Sequence, residues 1–402
     1  MESEYYFNIN EFDFIDIIPI SRNLNSEQNN SQNLNSNSPI LDKQSKITQE
    51  IYDYYIDDKI FSPIICKLRN KKHIISERIK KKINEILYSL IGTEKINYKS
   101  LIKLMFEGIP DDFPGVRSVL WKLMLNYLPN KTKDWKNYLV ERRLDYENIK
   151  MDFIGCEEYN IVTTKPKTVL DDIIKDIKRT RMQMHFFGSN VKQIDTNEST
   201  SDVLTRILYI FAMLHPDISY IQGMNEILAP IYYCFSSDPN EFFNKHVEAD
   251  VFYCFENLML EIKEIFLREK DNTEAGIKFR INKINVLLEF YDPELYDHFK
   301  NEKVELDYFM FRWFTLLFTQ EFNMPDTLRL WDSIIVHTDK YQFLTYICIG
   351  IVSLNRDLLL KKDFSNIMHL MQNLNLIEAD IEKIIYTSVD VKSKLLELFM
   401  SF

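Results

Sequence analysis

The chain runs to 402 residues, longer than the roughly 100–150 of a typical domain, and 46% of them are hydrophobic, enough to bury a sizeable core. Its net charge of −11 opposes nucleic acid as a main ligand, because binding a phosphate backbone depends on lysine and arginine. Only eight glycines are present, against about thirty at average usage, and the closest pair, Gly108 and Gly115, is too far apart for a glycine-rich phosphate loop or a Gly-x-Ser-x-Gly elbow.

In chain order, residues 1–45 join an acidic, aromatic opening, EYYFNINEFDFIDII, to a tract of almost pure Asn, Ser and Gln, and are expected to be disordered. From about Lys46 to residue 97 a helical extension is predicted, with Ile79, Ile83, Ile86, Leu87 and Leu90 at helical spacing and Lys80 to Lys82 on its solvated face. From Leu101 to about Leu376 the pattern is helical almost without a break, strongest over 168–187, 202–214, 251–267, 285–290, 306–319, 326–336 and 343–354. Pro216 and Pro325 stand where prolines stop helices, no repeat of fixed period is present, and scarce turn glycine argues further for an all-α fold. Residues 377–402 read as a C-terminal helical tail.

The five cysteines are dispersed without C-x-x-C spacing, as expected of reduced thiols, and the seven histidines include no H-E-x-x-H pair, so no metal is expected. No signal-peptide pattern, no apolar run of ~18 residues and no lipidation motif is found, which predicts a soluble, cytoplasmic protein. A small-molecule hydrolase built on Cys156 or a carboxylate pair lacks a nucleophile and base at suggestive spacing.

Two segments carry candidate chemistry. In TVLDDIIKDIKRTRMQMHFFG, Thr168 and Asp171 resemble a capping box and Gly188 a stop. Leu170, Ile173, Ile174 and Ile177 share one helical face, while Asp172, Asp176 and Arg179 point away from it. Asp176, one turn before Arg179, is placed to pair with its guanidinium. By itself this is an ordinary surface ion pair. In LHPDISYIQGMNEILAP, a short connector from Tyr220 to Gly223 precedes a new apolar run, and Gln222 stands at its mouth with an amide able both to donate and to accept. Taken alone, Gln222 reads as a turn residue capping backbone groups.

Order and company change that reading. GIPDDFPGVRSVLWKLMLNYLP, with Arg117 four residues before Trp121, precedes I-I-K-D-I-K-R, which precedes Y-I-Q-G. Downstream lies FMFRWFTLLFTQEFNMPDTLRLWDSII, with Arg312, Trp313, Arg329, Trp331 and Asp332. From about Ile91 to Phe364 this succession resembles the TBC family of Rab GTPase-activating proteins, whose fingerprint is R-x-x-x-W, then I-x-x-D-x-x-R, then Y-x-Q.

The resemblance implies an elongated, two-lobed, all-helical TBC domain over residues 98–376. It implies that Arg179 and Gln222 enter the active site of a GTP-bound Rab as arginine and glutamine fingers. Asp176 then supports the arginine, Tyr220 and Gly223 set the glutamine loop, and Arg117 and Trp121 hold the fold. Arg312, Trp313, Trp331 and Asp332 match supports of the second half. Many members carry proline three residues after the arginine, where this chain has Met182. No cofactor is implied for the chain itself, because GTP and magnesium belong to the partner GTPase. The partner implies a role in vesicle-mediated transport and peripheral, transient contact with endomembranes through the Rab. The rival expectation is a TBC-shaped scaffold that binds a GTPase without accelerating hydrolysis.

Overall fold

The computed structural model describes residues 58–70, 75–92, 95–154, 167–188, 198–266, 276–374 and 380–400. Among the described residues the regular structure is helical, with no β-strand, and no helix is long and apolar enough to cross a membrane. The disordered segment expected over 1–45 lies outside the described residues.

The first lobe comprises α1 (Ser62–Arg69), α2 (Glu77–Ile91), α3 (Tyr98–Phe106), α4 (Pro114–Met124), α5 (Trp135–Ile154), α6 (Lys167–Ile177), α7 (Thr200–Leu214), α8 (Met224–Ser236), α9 (Glu241–Asn244) and α10 (Val247–Ile262). Its axis is α8, which packs against α4, α6, α7, α9 and α10. Ile227, Leu228, Ala229, Ile231, Tyr232 and Phe235 of α8 are sealed from solvent, so that helix is apolar all round, as a central helix must be. Beside it, α7 starts at a capping box in which Ser199 and Asp202 satisfy each other's backbone N–H, and it buries Leu204, Ile207, Leu208 and Phe211.

The second lobe comprises α11 (Ile277–Tyr291), α12 (Pro293–Asn301), α13 (Asp307–Thr315), α14 (Met324–Ile334), α15 (Lys340–Leu354), α16 (Arg356–Leu359), α17 (Phe364–Gln372) and α18 (Ile381–Met400). These gather around α15, which packs against α11, α13, α14, α16 and α18. The lobes meet at α14, which touches α15 and α18 on one side and α3 and α8 on the other. The segment read as a C-terminal tail is thus a core element, since α18 buries Ile384, Ile385, Val391 and Leu395.

Several boundaries differ from the sequence-based expectation. The helix expected over 168–187 ends at Ile177, and Thr168 lies inside it rather than at its cap. Past Ile177 the chain tightens, with Arg179 N donating to Asp176 O at 3.0 Å, Thr180 N donating to Ile177 O at 3.1 Å, and Arg181 in the left-handed region at φ 44°. Gly188 closes only a short 3₁₀ turn, His185–Phe187. The helix expected to Thr319 stops at Thr315, where Leu317 and Phe318 take φ of 49° and 61°. Pro325 does not stop a helix but sits in the first turn of α14, behind an Asn323 cap that accepts from Asp326 N.

Candidate functional site

Arg179 stands on the tight turn that follows α6, with its side chain 62% exposed. Its Nη2 donates to Asp176 Oδ1 at 2.5 Å, as the spacing predicts. Asp176 itself is not on the outward face. It is 6% exposed because the loop after α7 folds over it, and the Tyr220 hydroxyl donates to Oδ2 at 2.7 Å. The carboxylate therefore has one oxygen for each candidate segment. Burial, and next the Asp176 carboxylate, push the Tyr220 pKa above the ordinary phenol range, so the hydroxyl keeps the proton it donates.

Gln222 is exposed and precedes the first residue of α8 by two positions, with only Gly223 between. Gly223 makes that possible. Its φ of 104° is closed to L side chains, and a Cβ there would meet Leu316 Cδ2 at 2.6 Å. Asn225, in the first turn of α8, reaches back across the gap, with Nδ2 donating to Thr180 Oγ1 at 2.9 Å and to Asp176 O at 3.4 Å. The turn bearing Arg179 and the loop bearing Gln222 are thus joined by the Asp176–Tyr220 bond and by Asn225.

Arg117 and Trp121 lie elsewhere, on α4, and converge on Asp332 of α14. Asp332 is wholly buried and accepts from Arg117 Nε at 3.1 Å, Arg117 Nη2 at 3.1 Å, Trp121 Nε1 at 2.8 Å and Ile109 N at 3.1 Å. Trp121 also stacks on Trp331, with ring centroids 5.7 Å apart. This cluster ties the lobes together. Arg312 pairs with the buried Glu321 at 2.6 Å, and Trp313 is buried against Phe309 and Phe318.

Three further residues enter the neighbourhood without having been singled out from sequence: Asn225, Glu226 and Arg181. Glu226, 5% exposed, has its carboxyl pushed up by burial and held down by Arg181. Burial likewise lowers the Arg181 pKa, against the pull of Glu226. Nothing in their spacing marks them, because each takes its meaning from a partner far along the chain. Met182, where many TBC proteins have proline, is 74% exposed beside the Arg179 turn.

The sequence profile of the Rab-GTPase-TBC domain matches residues 114–360. The chain belongs to this family. TBC1 domain family member 13 of Homo sapiens is 29% identical over 361 residues, covering 69% of this chain and 90% of its own length. GTPase-activating protein GYP1 of Saccharomyces cerevisiae is 27% identical over 298 residues, covering 68% of this chain and 44% of its own. Among solved structures, the Ypt/Rab-GAP domain of Gyp1p superposes with a TM-score of 0.67 across 79% of this chain and 99% of that one. At 24% identity that likeness speaks for the fold alone, and the fold is the two-lobed, all-α TBC domain.

Proposed function

We propose that this chain activates a Rab-family GTPase in its GTP state, inserting Arg179 and Gln222 into the partner's active site. It acts as an activator, and the nucleotide and its magnesium stay with the Rab. The observation that carries this reading is the single buried carboxylate of Asp176, which orients Arg179 with one oxygen and holds the Gln222 loop through Tyr220 with the other. Membership of the Rab-GTPase-TBC domain family and likeness to GTPase-activating protein GYP1 support it from a separate direction.

Water attacks the γ-phosphorus of GTP while the bond to the β–γ bridging oxygen breaks, and negative charge moves toward that leaving oxygen. Catalysis here is positioning and charge stabilisation. A guanidinium is permanently charged and forked, so Arg179 is suited to bridge phosphate oxygens as the charge moves. The Gln222 carbonyl accepts a hydrogen bond from the attacking water while its NH₂ donates to phosphate. A trans-acting arginine contributes ~10³–10⁵ in rate, about 4–7 kcal/mol. Through this partner the chain acts at endomembranes in vesicle traffic, as a peripheral visitor brought there by the Rab.

The test is single-turnover GTP hydrolysis across a panel of GTP-loaded Rabs. At least one Rab is accelerated by the native chain, and Arg179→Ala and Gln222→Ala each abolish most of that acceleration without loss of folding or of Rab binding. A Rab whose own catalytic glutamine is replaced is still stimulated, because Gln222 supplies the amide. Full stimulation by Gln222→Ala would refute the glutamine finger. Binding to Rabs with no acceleration of any would leave the scaffold reading in possession.

A further inference from the structure

Arg181 is a charged residue in an unusual place. It is 5% exposed, lies two positions after Arg179, and occupies the left-handed region at φ 44°, which a non-glycine residue rarely adopts without tertiary partners to hold it there. Those partners belong to the second lobe. Its Nη1 donates to Phe322 O at 3.0 Å and its Nη2 to Thr319 O, both in the connection between α13 and α14. Its Nε, buried and without a hydrogen bond, lies 3.6 Å from Glu226 Oε2 in the first turn of α8.

The same second-lobe connection touches the other finger. It opens with Leu316, whose side chain sits over Gly223, next to Gln222. Within a few residues it passes through left-handed geometry at Leu317 and Phe318, which turns the Thr319 carbonyl to Arg181. One turn of the second lobe therefore abuts both catalytic segments of the first. The contact to the Gln222 side is apolar and follows from shape, whereas the contact to the Arg179 side is a forked hydrogen bond that fixes direction as well as distance.

We infer that Arg181 is a positioning residue for GTP hydrolysis, clamping the Arg179 turn to the 316–322 connection of the second lobe. Arg179 has one side-chain partner, Asp176; Tyr220 and Asn225 tie its turn to the first lobe, and what Arg181 grips ties the same turn to the second. Because a displacement of ~1 Å at a catalytic group costs up to about 100-fold in rate, loosening the grip lowers turnover without touching the docking surface. The inference rests on the arginine-finger reading of Arg179.

Two variants separate positioning from folding. Arg181→Lys keeps a charge opposite Glu226 but replaces the two-nitrogen fork that reaches both carbonyls with a single point donor, and Arg181→Met with Glu226→Gln removes both buried charges together. In single-turnover assays at varied activator concentration, each is expected to lower the maximal hydrolysis rate by about 10- to 100-fold, with the half-saturating concentration within about threefold of native. Melting temperature confirms folding of each variant. The deciding arm repeats both changes in an Arg179→Ala background, where a residue acting only through Arg179 has nothing left to lose. Equal losses in the two backgrounds, an unchanged maximal rate in a folded variant, or a loss confined to half-saturation would overturn the inference while leaving the finger intact. An Arg179→Ala chain that kept full activity would instead remove the finger reading and the inference with it.

Discussion

Replacing Asp332 by alanine strips the acceptor from the cluster that joins α4 to α14. Arg117, 4% exposed, would retain only the Ile109 carbonyl at 2.8 Å and Asp111 at 2.6 Å, and the Asp111 side chain is 76% exposed and well screened. The Trp121 indole N–H and the Ile109 N–H would be left without acceptors. Removing one partner of a buried pair costs about 3–5 kcal/mol, because the remaining charge is neither hydrated nor compensated. In a body of this size that is a fall of about 4–8 °C in melting temperature. The assay is thermal unfolding of Asp332→Ala beside the double variant Arg117→Met/Asp332→Ala. The double variant, which removes the stranded guanidinium as well, should recover about half of the loss. A single variant within about 1 kcal/mol of native, or a double variant no better than the single one, would show that the cluster does not hold the lobes as argued.

Arg179→Lys should be nearly as inactive as Arg179→Ala, since a point ammonium cannot reproduce the forked guanidinium, and a lysine variant keeping most of the hydrolysis rate would contradict the assignment. Tyr220→Phe removes a 2.7 Å hydrogen bond to a charged acceptor, at about 1.5–3 kcal/mol, and should lower turnover by about 10-fold through both segments that Asp176 holds; unchanged turnover would mean that the bond is dispensable. His337 is stacked on Phe343 at 4.2 Å with an Nε2 that solvent does not reach, and burial pushes its pKa down to about 3. Its folded value lies below the unfolded one, so its contribution is complete above about pH 6.5 and is lost as pH falls, by about 1.4 kcal/mol per unit towards the folded value. His337→Phe keeps the stack without the titration and should flatten that acid slope, and identical slopes in the two proteins would exclude His337 as its source.

Local periodicity carried the fold further than it carried the site. Leu204, Ile207, Leu208 and Phe211 share a face in the sequence and are buried in α7, and Ile173 and Ile177 are likewise buried in α6. A helical wheel knows one axis only, so it placed Asp176 on the solvent side, where Tyr220 from another segment covers it. The end of α6 was illegible for a similar reason. No glycine or proline lies between Ile177 and Arg181, and the left-handed Arg181 is sustained by carbonyls of residues 319 and 322, more than a hundred positions away. Asp332 is 215 positions from Arg117, so their pairing had no local signature. Pro325 is different. Asn323, Pro325 and Asp326 spell a helix start, and that signal was available in the sequence.

Both proposed fingers stand on turns beside helices rather than on the helices themselves. A turn left to its own hydrogen bonds would present an exposed arginine or glutamine in many directions, and ordering it would oppose binding each time a partner arrived. The Asp176–Arg179 pair contributes little to stability, because the guanidinium is 62% exposed and its attraction is screened. Its consequence is direction, and direction is useful only if Asp176 is itself fixed. Burial under Tyr220 fixes it on one side, and the Thr180 hydroxyl donating to its carbonyl at 3.0 Å fixes it on the other. Gly223 then sets where the second finger begins, at a φ no other residue adopts cheaply, with Leu316 closing the space a side chain would need. On the proposed reading, the backbone restriction that trans catalysis requires at both turns is present before a GTPase docks, which would leave the binding energy of the complex available for orienting water and phosphate in the transition state.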